Sequence, residues 1–229
     1  ISRCMWIGSF PPLIEMSILT EWSQLSNSLP TYGGATFVRW GKKACSAGTK
    51  LVYTGEMAGP DPGSSAGGAN YQCLPSDPQY YESPNPSKAN HSALRSVHYW
   101  VYYMPDLTHL HDRFAPCAVC ETDQQVTTLM IPAMTRCPTS EWRLEYSGYL
   151  MSGWEHTHGQ QDDFTQMFTS ASTSYVCVDK NADSQNSKTA TGGNLIFPVA
   201  ADCTGVNALS SCPLYHGAGS ALECEDWTK

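Results

Sequence analysis

The chain has 229 residues, of which 41% are hydrophobic, so either one sizeable domain or two fused small ones can form with an ample core. Its formal net charge is -8 at pH 7, which argues against nucleic acid and anionic membranes as partners because neither attracts an acidic surface. Only 15% of the residues are charged, a composition more typical of an extracellular β-protein than of a cytosolic enzyme.

Residues 1–35 are predicted to contain a short N-terminal helix. Pro11 and Pro12 can stand in its first turn, where the missing N–H would have no helical partner. Four apolar residues then recur on one helical face: Ile14, Ile18, Trp22 and Leu25. The helix either docks on the domain that follows or acts as an oligomerisation neck, and it carries too few heptads for a coiled coil.

The rest of the chain is predicted to be all-β, mainly antiparallel and rich in disulfides. It divides into two repeats, 36–123 and 124–229, that form one compact unit. The segment Leu51–Met57 (LVYTGEM) is echoed by Leu144–Met151 (LEYSGYLM). A repeat of this size is too long for a solenoid unit. We therefore expect two halves that superpose strand for strand about a pseudo-twofold axis.

The cysteine spacing divides the chain in the same way. Cys73 precedes Cys177 by as many residues as Cys120 precedes Cys224, and the insertion that lengthens the second repeat falls within 154–172. Two sets of cysteines should then superpose: Cys45, Cys73 and Cys120 on Cys137, Cys177 and Cys224. Disulfides formed within the first set should be mirrored within the second.

Four strands are predicted in the first repeat from β-branched and aromatic runs: Thr36–Trp40, Leu51–Met57, Tyr71–Leu74 and Val97–Met104. Loops rich in glycine, proline and serine separate them. The Asn90-His-Ser sequence, directly after the proline-rich loop 75–89, predicts a glycan on an exposed loop of a secreted protein. The second repeat opens with two further predicted strands, Val126–Ile131 and Trp142–Met151.

Aromatic residues crowd the run His98–Tyr103 (HYWVYY). Tyrosine and tryptophan in such a run usually pack in the sheet while their polar tips reach a partner. A platform on which a sugar ring stacks is the other interpretation. The residue pattern is compatible with both.

Two polar clusters could hold a ligand or a divalent metal ion. The first consists of Asp106, His109, His111 and Asp112. The second lies in the insertion and is the predicted ligand-binding site: Trp154, His156, His158, Asp162 and Asp163. A His-x-His sequence on a strand points both rings to one face, a spacing that metal sites use. If a metal is bound, the predicted ligands are His111, Asp112 and His158; a solvated loop without a ligand is the alternative.

Ten cysteines predict up to five disulfides and a secreted, extracellular protein. All ten are expected to be oxidised: Cys4, Cys45, Cys73, Cys117, Cys120, Cys137, Cys177, Cys203, Cys212 and Cys224. Cys4 either closes a bond within the chain or joins two chains. No run of about 20 apolar residues occurs, so no membrane insertion is predicted. The start at Ile1 is read as that of a mature chain.

Several segments resemble the non-collagenous C-terminal domain of the short-chain collagen C4, or spongin-type, family. The resemblance covers residues 36–229 and rests on these motifs: Phe37–Gly41 (FVRWG), Gly67–Tyr71 (GGANY), Pro116–Cys120 (PCAVC), Leu129–Ala133 (LMIPA), Leu144–Met151 and Tyr175–Asp179 (YVCVD). It implies a matrix or oligomerisation module. The chain departs from the family in two ways. It has no Gly-X-Y tract, so it cannot form a collagen triple helix. The family ends in Cys-x-x-Cys, whereas here Cys224 is followed by Trp227.

The catalytic motifs that we searched for are absent, including the hydrolase nucleophile elbow, the phosphate-binding glycine loop and His-Glu-x-x-His, so the chain is predicted not to be an enzyme. Cys117 and Cys120 have redox-motif spacing, and a structural bridge is their expected role. A rigid β-domain with aromatic, amide and carboxylate side chains on its loops is typical of sugar binding. We expect a lectin-like homo-oligomer that binds glycans or glycoproteins, with a matrix or oligomerisation module as the alternative.

Overall fold

The computed structural model describes residues 33–61, 68–79, 93–134, 139–153, 173–186, 193–200 and 222–229. Strands make up nearly all of the regular secondary structure of these residues. A single 3₁₀ turn in these ranges, Thr108–Leu110, is the exception. The all-β prediction is confirmed for this part of the chain. The predicted helix, with its apolar face from Ile14 to Leu25, lies outside it. Among the described residues, no helix has the length and apolar character needed to cross a membrane.

The strands fall into two sets of five. The first half contains β1 (Thr36–Trp40), β2 (Thr49–Pro60), β3 (Gln72–Pro75), β4 (Leu94–Tyr99) and β5 (Pro116–Thr122). The second half contains β6 (Thr128–Pro132), β7 (Arg143–Ser152), β8 (Val176–Asp179), β9 (Asn194–Pro198) and β10 (Glu223–Thr228). β-Branched and aromatic residues are frequent in them because such side chains pack well on a pleated surface. All of these strands belong to one compact unit, Gly33–Lys229.

One mixed sheet joins the strands in the order β6-β10-β7-β8-β1-β5-β2-β4-β9, with β3 beside β2. Because β9 also pairs with β7, the pairings close a ring through β7, β8, β1, β5, β2, β4 and β9. Most pairs are antiparallel. The parallel pairs among the described strands, β1 with β8 and β4 with β9, both connect the first half to the second.

The two halves follow the same pairing pattern. The last strand of each, β5 or β10, lies between the first two, and the second strand, β2 or β7, also pairs with the third and fourth. The ladder shifts register at the same place in both halves. The shift lies between Leu51 and Tyr53 in β2 and between Leu144 and Tyr146 in β7.

This register corrects the predicted equivalence of the cysteines. Cys224 takes the position of Cys117, because each pairs with the glycine that follows the shift in the neighbouring strand. Trp227 takes the position of Cys120, since each pairs with the leucine before the shift. The predicted superposition of Cys120 on Cys224 is therefore wrong. The prediction matched cysteine to cysteine, but the residue equivalent to Cys120 in the second half is a tryptophan, Trp227.

Three disulfides join the described strands and loops: Cys45–Cys120, Cys73–Cys117 and Cys177–Cys224. The second and third occupy equivalent positions in the two halves. Because Cys224 is bonded to Cys177, it cannot mirror the first bond as predicted. The bonds span sequence separations of 75, 44 and 47 residues, and each should stabilise the fold by about 4 kcal/mol by restricting the unfolded chain. The other cysteines lie outside the described residues: Cys4, Cys137, Cys203 and Cys212.

Buried side chains form two clusters. The larger contains Met57, Val97, Tyr99, Met151 and Ile196, together with residues of the loop between β4 and β5. The smaller surrounds two of the disulfides and contains Phe37, Tyr146 and Leu150. Full burial of one such aliphatic or aromatic side chain is worth about 1.5–3 kcal/mol, so these clusters hold the sheet together.

A buried ion pair joins the two halves. The guanidinium of Arg39 on β1 lies 2.6 Å from the carboxylate of Asp179 at the end of β8, whose side chain is only 2% exposed. The same guanidinium lies over the ring of Tyr146 on β7, 5.7 Å from its centroid. The Tyr146 hydroxyl donates to the backbone carbonyl of Cys177 at 2.8 Å. Removing Arg39 should cost about 3–5 kcal/mol, because the carboxylate of Asp179 would stay buried without its cation.

Candidate functional site

The predicted ligand-binding residues lie outside the described part of the chain: Trp154, His156, His158, Asp162 and Asp163. The predicted glycosylation site, Asn90, lies outside it as well. These assignments therefore stay predictions. The first polar cluster, which includes His111 and Asp112, is described. It lies in the connection between β4 and β5, here called the 100–112 loop.

Buried apolar side chains anchor the 100–112 loop to the core at every third residue: Val101, Met104, Leu107 and Leu110. The backbone N–H groups of the last three each donate to the carbonyl three residues earlier, at 2.8 to 3.0 Å. Such consecutive turns bury one residue in three and direct the two between them outward. The loop is therefore held by its own hydrogen bonds and by the core, and can present side chains in a fixed arrangement before a ligand binds.

The same turns correct the predicted strand Val97–Met104. β4 ends at Tyr99, and the next N–H, that of Trp100, donates to the carbonyl of Ile196 in β9 at 2.9 Å. The alternation of aromatic residues that predicted a longer strand continues into the loop. From Val101 onward the buried residues recur at every third position. In a run this short, the sequence alone does not distinguish that spacing from the alternation of a strand.

Four rings form an aromatic platform on the 100–112 loop: Trp100, Tyr102, Tyr103 and His111. The His111 ring meets Trp100 edge-on, with centroids 4.6 Å apart, and meets Tyr102 at 5.5 Å. Tyr102 meets Tyr103 at 89°, with centroids 5.0 Å apart. Edge-to-face pairs stabilise by about 0.5–1.5 kcal/mol beyond the area they bury, so the rings orient one another.

The two tyrosines of the aromatic platform reach solvent. Tyr102 is 58% exposed and Tyr103 is 52% exposed. Neighbouring exposed rings on an anchored loop form a local apolar surface of the kind that marks binding sites. Partial burial raises the pKa of Tyr103, with the Tyr102 phenol acting in the same direction. The phenol therefore keeps its proton at neutral pH and can donate a hydrogen bond to a ligand.

His111 and Asp112 lie together at the end of the loop. The backbone N–H of Val101 donates to Nδ1 of His111 at 3.3 Å, so the neutral ring carries its proton on Nε2. Nε2 lies 3.7 Å from Asp112 Oδ2. The backbone of Asp112 adopts a left-handed conformation, with φ 56°, that aspartate tolerates better than most residues.

These two side chains could contribute to a metal site but do not complete one. Within the described ranges, no group of three or more His, Cys, Asp or Glu side chains is placed to hold a metal ion. The third predicted ligand, His158, is outside those ranges. The metal site with His111, Asp112 and His158 as ligands therefore stays a prediction.

His98, on β4 just before the loop, is buried with 4% of its surface exposed. Its ring centroid lies 6.0 Å from that of Phe114. Neither ring nitrogen has a hydrogen-bond partner among the described residues. Burial lowers the pKa of His98, opposed by the Asp112 carboxylate and reinforced by His111. The ring is therefore neutral at physiological pH.

Sequence reasoning found the parts of this site without connecting them. The sequence suggests sugar stacking as one of two roles for the run His98–Tyr103. It places His111 in a separate polar cluster. The turns of the 100–112 loop bring His111 back beside Trp100 and Tyr102. Hydrogen bonds between residues three apart create that neighbourhood, and no motif in the sequence marks it.

A comparison of the chain with protein-family models finds no match. The similarity to the non-collagenous domain of the short-chain collagen C4 family therefore stays a prediction, carried by the motifs in the sequence.

Proposed function

We propose that the protein is a secreted, lectin-like protein that binds glycans or glycoproteins, and that the aromatic platform is a surface on which a sugar ring stacks. One observation carries the proposal. The rings of Tyr102 and Tyr103 are both exposed, nearly perpendicular and held on a loop anchored in the core. Aromatic rings pack against the apolar C–H face of a pyranose, whereas phenol and imidazole groups exchange hydrogen bonds with its hydroxyls.

The remaining features support an extracellular setting. Three disulfides join the described strands, and disulfides persist in oxidising compartments such as the extracellular space. The net charge of -8 disfavours a polyanionic partner. We also infer that residues 36–123 and 124–229 are repeats of one unit about a pseudo-twofold axis. The shared pairing pattern and the equivalent disulfides of the two halves support that inference.

Multivalency is part of the proposal. A single stacked sugar contributes little affinity, so proteins that retain glycoproteins gain strength by engaging several sites at once. We therefore propose a homo-oligomer. A divalent metal remains an optional component, with His111 and Asp112 as two of its ligands.

The test removes both exposed rings of the platform. Tyr102→Ala/Tyr103→Ala should weaken binding on a glycan array, and sugar-inhibited haemagglutination, by at least about tenfold, because the stacking faces are lost. Tyr175→Ala is the matched control, since Tyr175 is a tyrosine with 60% exposure outside the platform. A chelator arm, compared with His111→Ala, separates stacking from metal binding: stacking alone is insensitive to the chelator.

Equal glycan binding by the wild type and the double variant would place the sugar site elsewhere. Loss in Tyr175→Ala alone would do the same. Thermal unfolding of each variant accompanies the assay and shows that loss of binding is not loss of fold.

A matrix or oligomerisation module is the second candidate, and β6 favours it. Among the described strands β6 pairs only with β10, and it exposes Leu129 by 41%. Val126, just before it, is 76% exposed. An open strand edge with apolar neighbours can add a strand from another chain. Insoluble, reductant-sensitive polymers without glycan binding would favour this candidate over the lectin.

A further inference from the structure

A second polar site lies in a cleft of about 140 Å³ between β7, β10 and the end of β8. Its lining comes from three segments: Ser147, Gly148 and Tyr149 of β7, Glu223, Cys224 and Glu225 of β10, and Lys180 after β8. None of these residues belongs to the aromatic platform or to the polar clusters predicted from the sequence. The cleft is therefore an independent candidate site.

Strand register brings four polar side chains to one face of the sheet. Glu225 pairs with Ser147, and Glu223 pairs with Tyr149. Residues two apart in a strand share a face, and directly paired residues stand side by side across it. Cys224, between the two glutamates, is fully buried and disulfide-bonded. Two carboxylates, a hydroxyl and a phenol thus surround one small space.

The floor of the cleft is fixed by close backbone packing. A Cβ on Gly148 would lie 1.9 Å from the carbonyl oxygen of Val178, so β8 can approach β7 only beside a glycine. Just beyond β8, the N–H of Lys180 donates to the carbonyl of Ser147 at 3.1 Å. This bond holds the start of the Lys180 side chain at the cleft, where its ammonium can donate hydrogen bonds.

Glu225 has an unmet hydrogen-bonding need. The residue is only 5% exposed, and its Oε2 has no hydrogen-bond partner among the described residues. Burial raises the pKa of Glu225, as does the neighbouring Glu223 carboxylate, while Lys180 opposes the shift. A buried acceptor without a partner costs about 1–3 kcal/mol. If the side chain turns this oxygen toward the cleft, a ligand hydroxyl can donate a hydrogen bond to it and remove that cost.

The charges and volume of the cleft select the kind of ligand. Two carboxylates face one ammonium, so an anionic ligand is repelled. The volume of about 140 Å³ is large enough to accommodate one six-membered ring. Vicinal hydroxyls can donate to a carboxylate while accepting from an ammonium or a hydroxyl. A neutral, hydroxyl-rich ring meets all three conditions.

The cleft is connected to the loop of the aromatic platform. The Tyr149 hydroxyl donates to Asp106 Oδ2 at 3.1 Å, and Asp106 belongs to the 100–112 loop. Burial raises the pKa of Tyr149, with Asp106 and Glu223 acting in the same direction. One loop therefore carries the stacking rings and also steadies a wall of the cleft.

We propose that this cleft binds one neutral pyranose residue, whose hydroxyls donate to Glu225 and Glu223 and accept from Lys180 and Ser147. The inference rests on the proposed function, because it takes the ligand to be a carbohydrate. It adds a second subsite and a preference: neutral sugars are accepted and acidic sugars are rejected.

The test titrates the intact protein with neutral methyl glycosides of mannose, galactose and N-acetylglucosamine, and with N-acetylneuraminic acid as the anionic counterpart. NMR spectra report binding and calorimetry gives Kd. At least one neutral glycoside should bind with a Kd of about 1 mM. Glu225→Gln should weaken it about tenfold, and Ser147→Phe should abolish it by filling the cleft. N-acetylneuraminic acid should not bind.

Two controls accompany these variants. Glu56→Gln should bind as the wild type does, because Glu56 takes the position of Tyr149 in the first half and lies outside the cleft. Tyr102→Ala/Tyr103→Ala should leave the monosaccharide Kd unchanged within about twofold, because the loop touches the cleft through Asp106 and Tyr149, and this variant keeps both side chains. Thermal unfolding confirms that each variant is folded.

The outcomes separate this inference from the proposed function. Glycan-array binding that depends on Tyr102 and Tyr103, without any monosaccharide binding, overturns the cleft and leaves the lectin intact. A Kd that is unchanged in Glu225→Gln overturns the cleft as well. Absence of all carbohydrate binding overturns both. Tighter binding of the anionic sugar than of the neutral ones contradicts the assigned preference.

Discussion

The last strands of the two halves, β5 and β10, occupy the same place between two neighbours yet differ in chemistry. Where β5 carries Pro116, Ala118, Val119 and Cys120, β10 carries Glu223, Glu225, Asp226 and Trp227. The backbone ladder tolerates this exchange because its hydrogen bonds do not depend on the side chains. The same pairing pattern therefore accommodates an apolar, cross-linked strand in the first half and an acidic strand that lines a cleft in the second.

The disulfides follow the same division. In the described residues, the first half holds two of the three bonds, and the second half holds the one at the shared position. At the other position Trp227 fills the space with a side chain that is 5% exposed. The first half is thus cross-linked by the Cys45–Cys120 disulfide at this position, whereas the second half packs the Trp227 ring there. Three tests measure how far this correspondence goes.

The largest effect is expected from the disulfides at the shared position. One variant carries Cys73→Ala and Cys117→Ala, and the other carries Cys177→Ala and Cys224→Ala. Each should lose about 4 kcal/mol of unfolding free energy, and the losses should be equal because the sequence separations, 44 and 47 residues, are nearly the same. Urea unfolding without reductant measures both. A loss confined to one variant would show that the halves do not use the bond alike.

Trp227 provides the next test. Trp227→Ala should lower the free energy of unfolding by about 3 kcal/mol, because a large buried ring is replaced by a cavity. Trp227→Phe is the control and should lose about 1 kcal/mol, since most of the apolar volume is kept. Urea unfolding of both variants gives the difference. Equal stability of Trp227→Ala and the wild type would mean that packing does not take the place of the missing bond.

Asp226 gives the smallest effect and the only one that depends on pH. Burial raises the pKa of Asp226 to about 6, with Glu145 acting in the same direction and a hydrogen bond with Tyr146 opposing. A raised carboxyl pKa means that the folded state holds its proton more tightly than the unfolded state. The contribution of Asp226 to the free energy of unfolding is therefore fully present below about pH 4, which is the pKa of the carboxyl in the unfolded chain. It is lost as the pH rises through about 6.

Asp226→Asn keeps the side chain neutral at every pH, as Val119 is at the equivalent position. We expect the variant to gain about 2 kcal/mol at pH 7.5 and nothing at pH 4. Urea unfolding across that range measures the gain, with Asp123→Asn as an exposed control. A constant difference between variant and wild type at all pH values would rule out titration of this carboxyl as the cause.

Local patterns predicted much of the fold. Thr36–Trp40 was predicted to the residue, and the echo of Leu51–Met57 in Leu144–Met151 marked the strands whose pairings turn out alike. β-Branched and aromatic runs reveal strands because they reflect the surface a side chain needs. Such local patterns do not predict which cysteine forms a disulfide with Cys224. Disulfide connectivity depends on strand register, which spacing does not determine.

The sites were harder to predict than the strands. The aromatic platform needs His111 beside Trp100, and only the turns of the 100–112 loop create that contact. The cleft needs Glu225 beside Ser147, which lie on strands far apart in the sequence. Neither arrangement has a fixed spacing, so no motif signals it. Cross-strand neighbourhoods become visible only when the register is known.

The closed ring of strand pairings has a consequence for how the chain reaches its native state. A ring must be closed last, and its two closing contacts join residues far apart in sequence, such as Trp40 with Val178 and Val97 with Asn194. Contacts of such long range form slowly. The three disulfides, by contrast, each join cysteines of the same half. These three bonds can therefore form within each half as it emerges during synthesis, and we expect the docking of two already cross-linked halves to be the slow step in maturation.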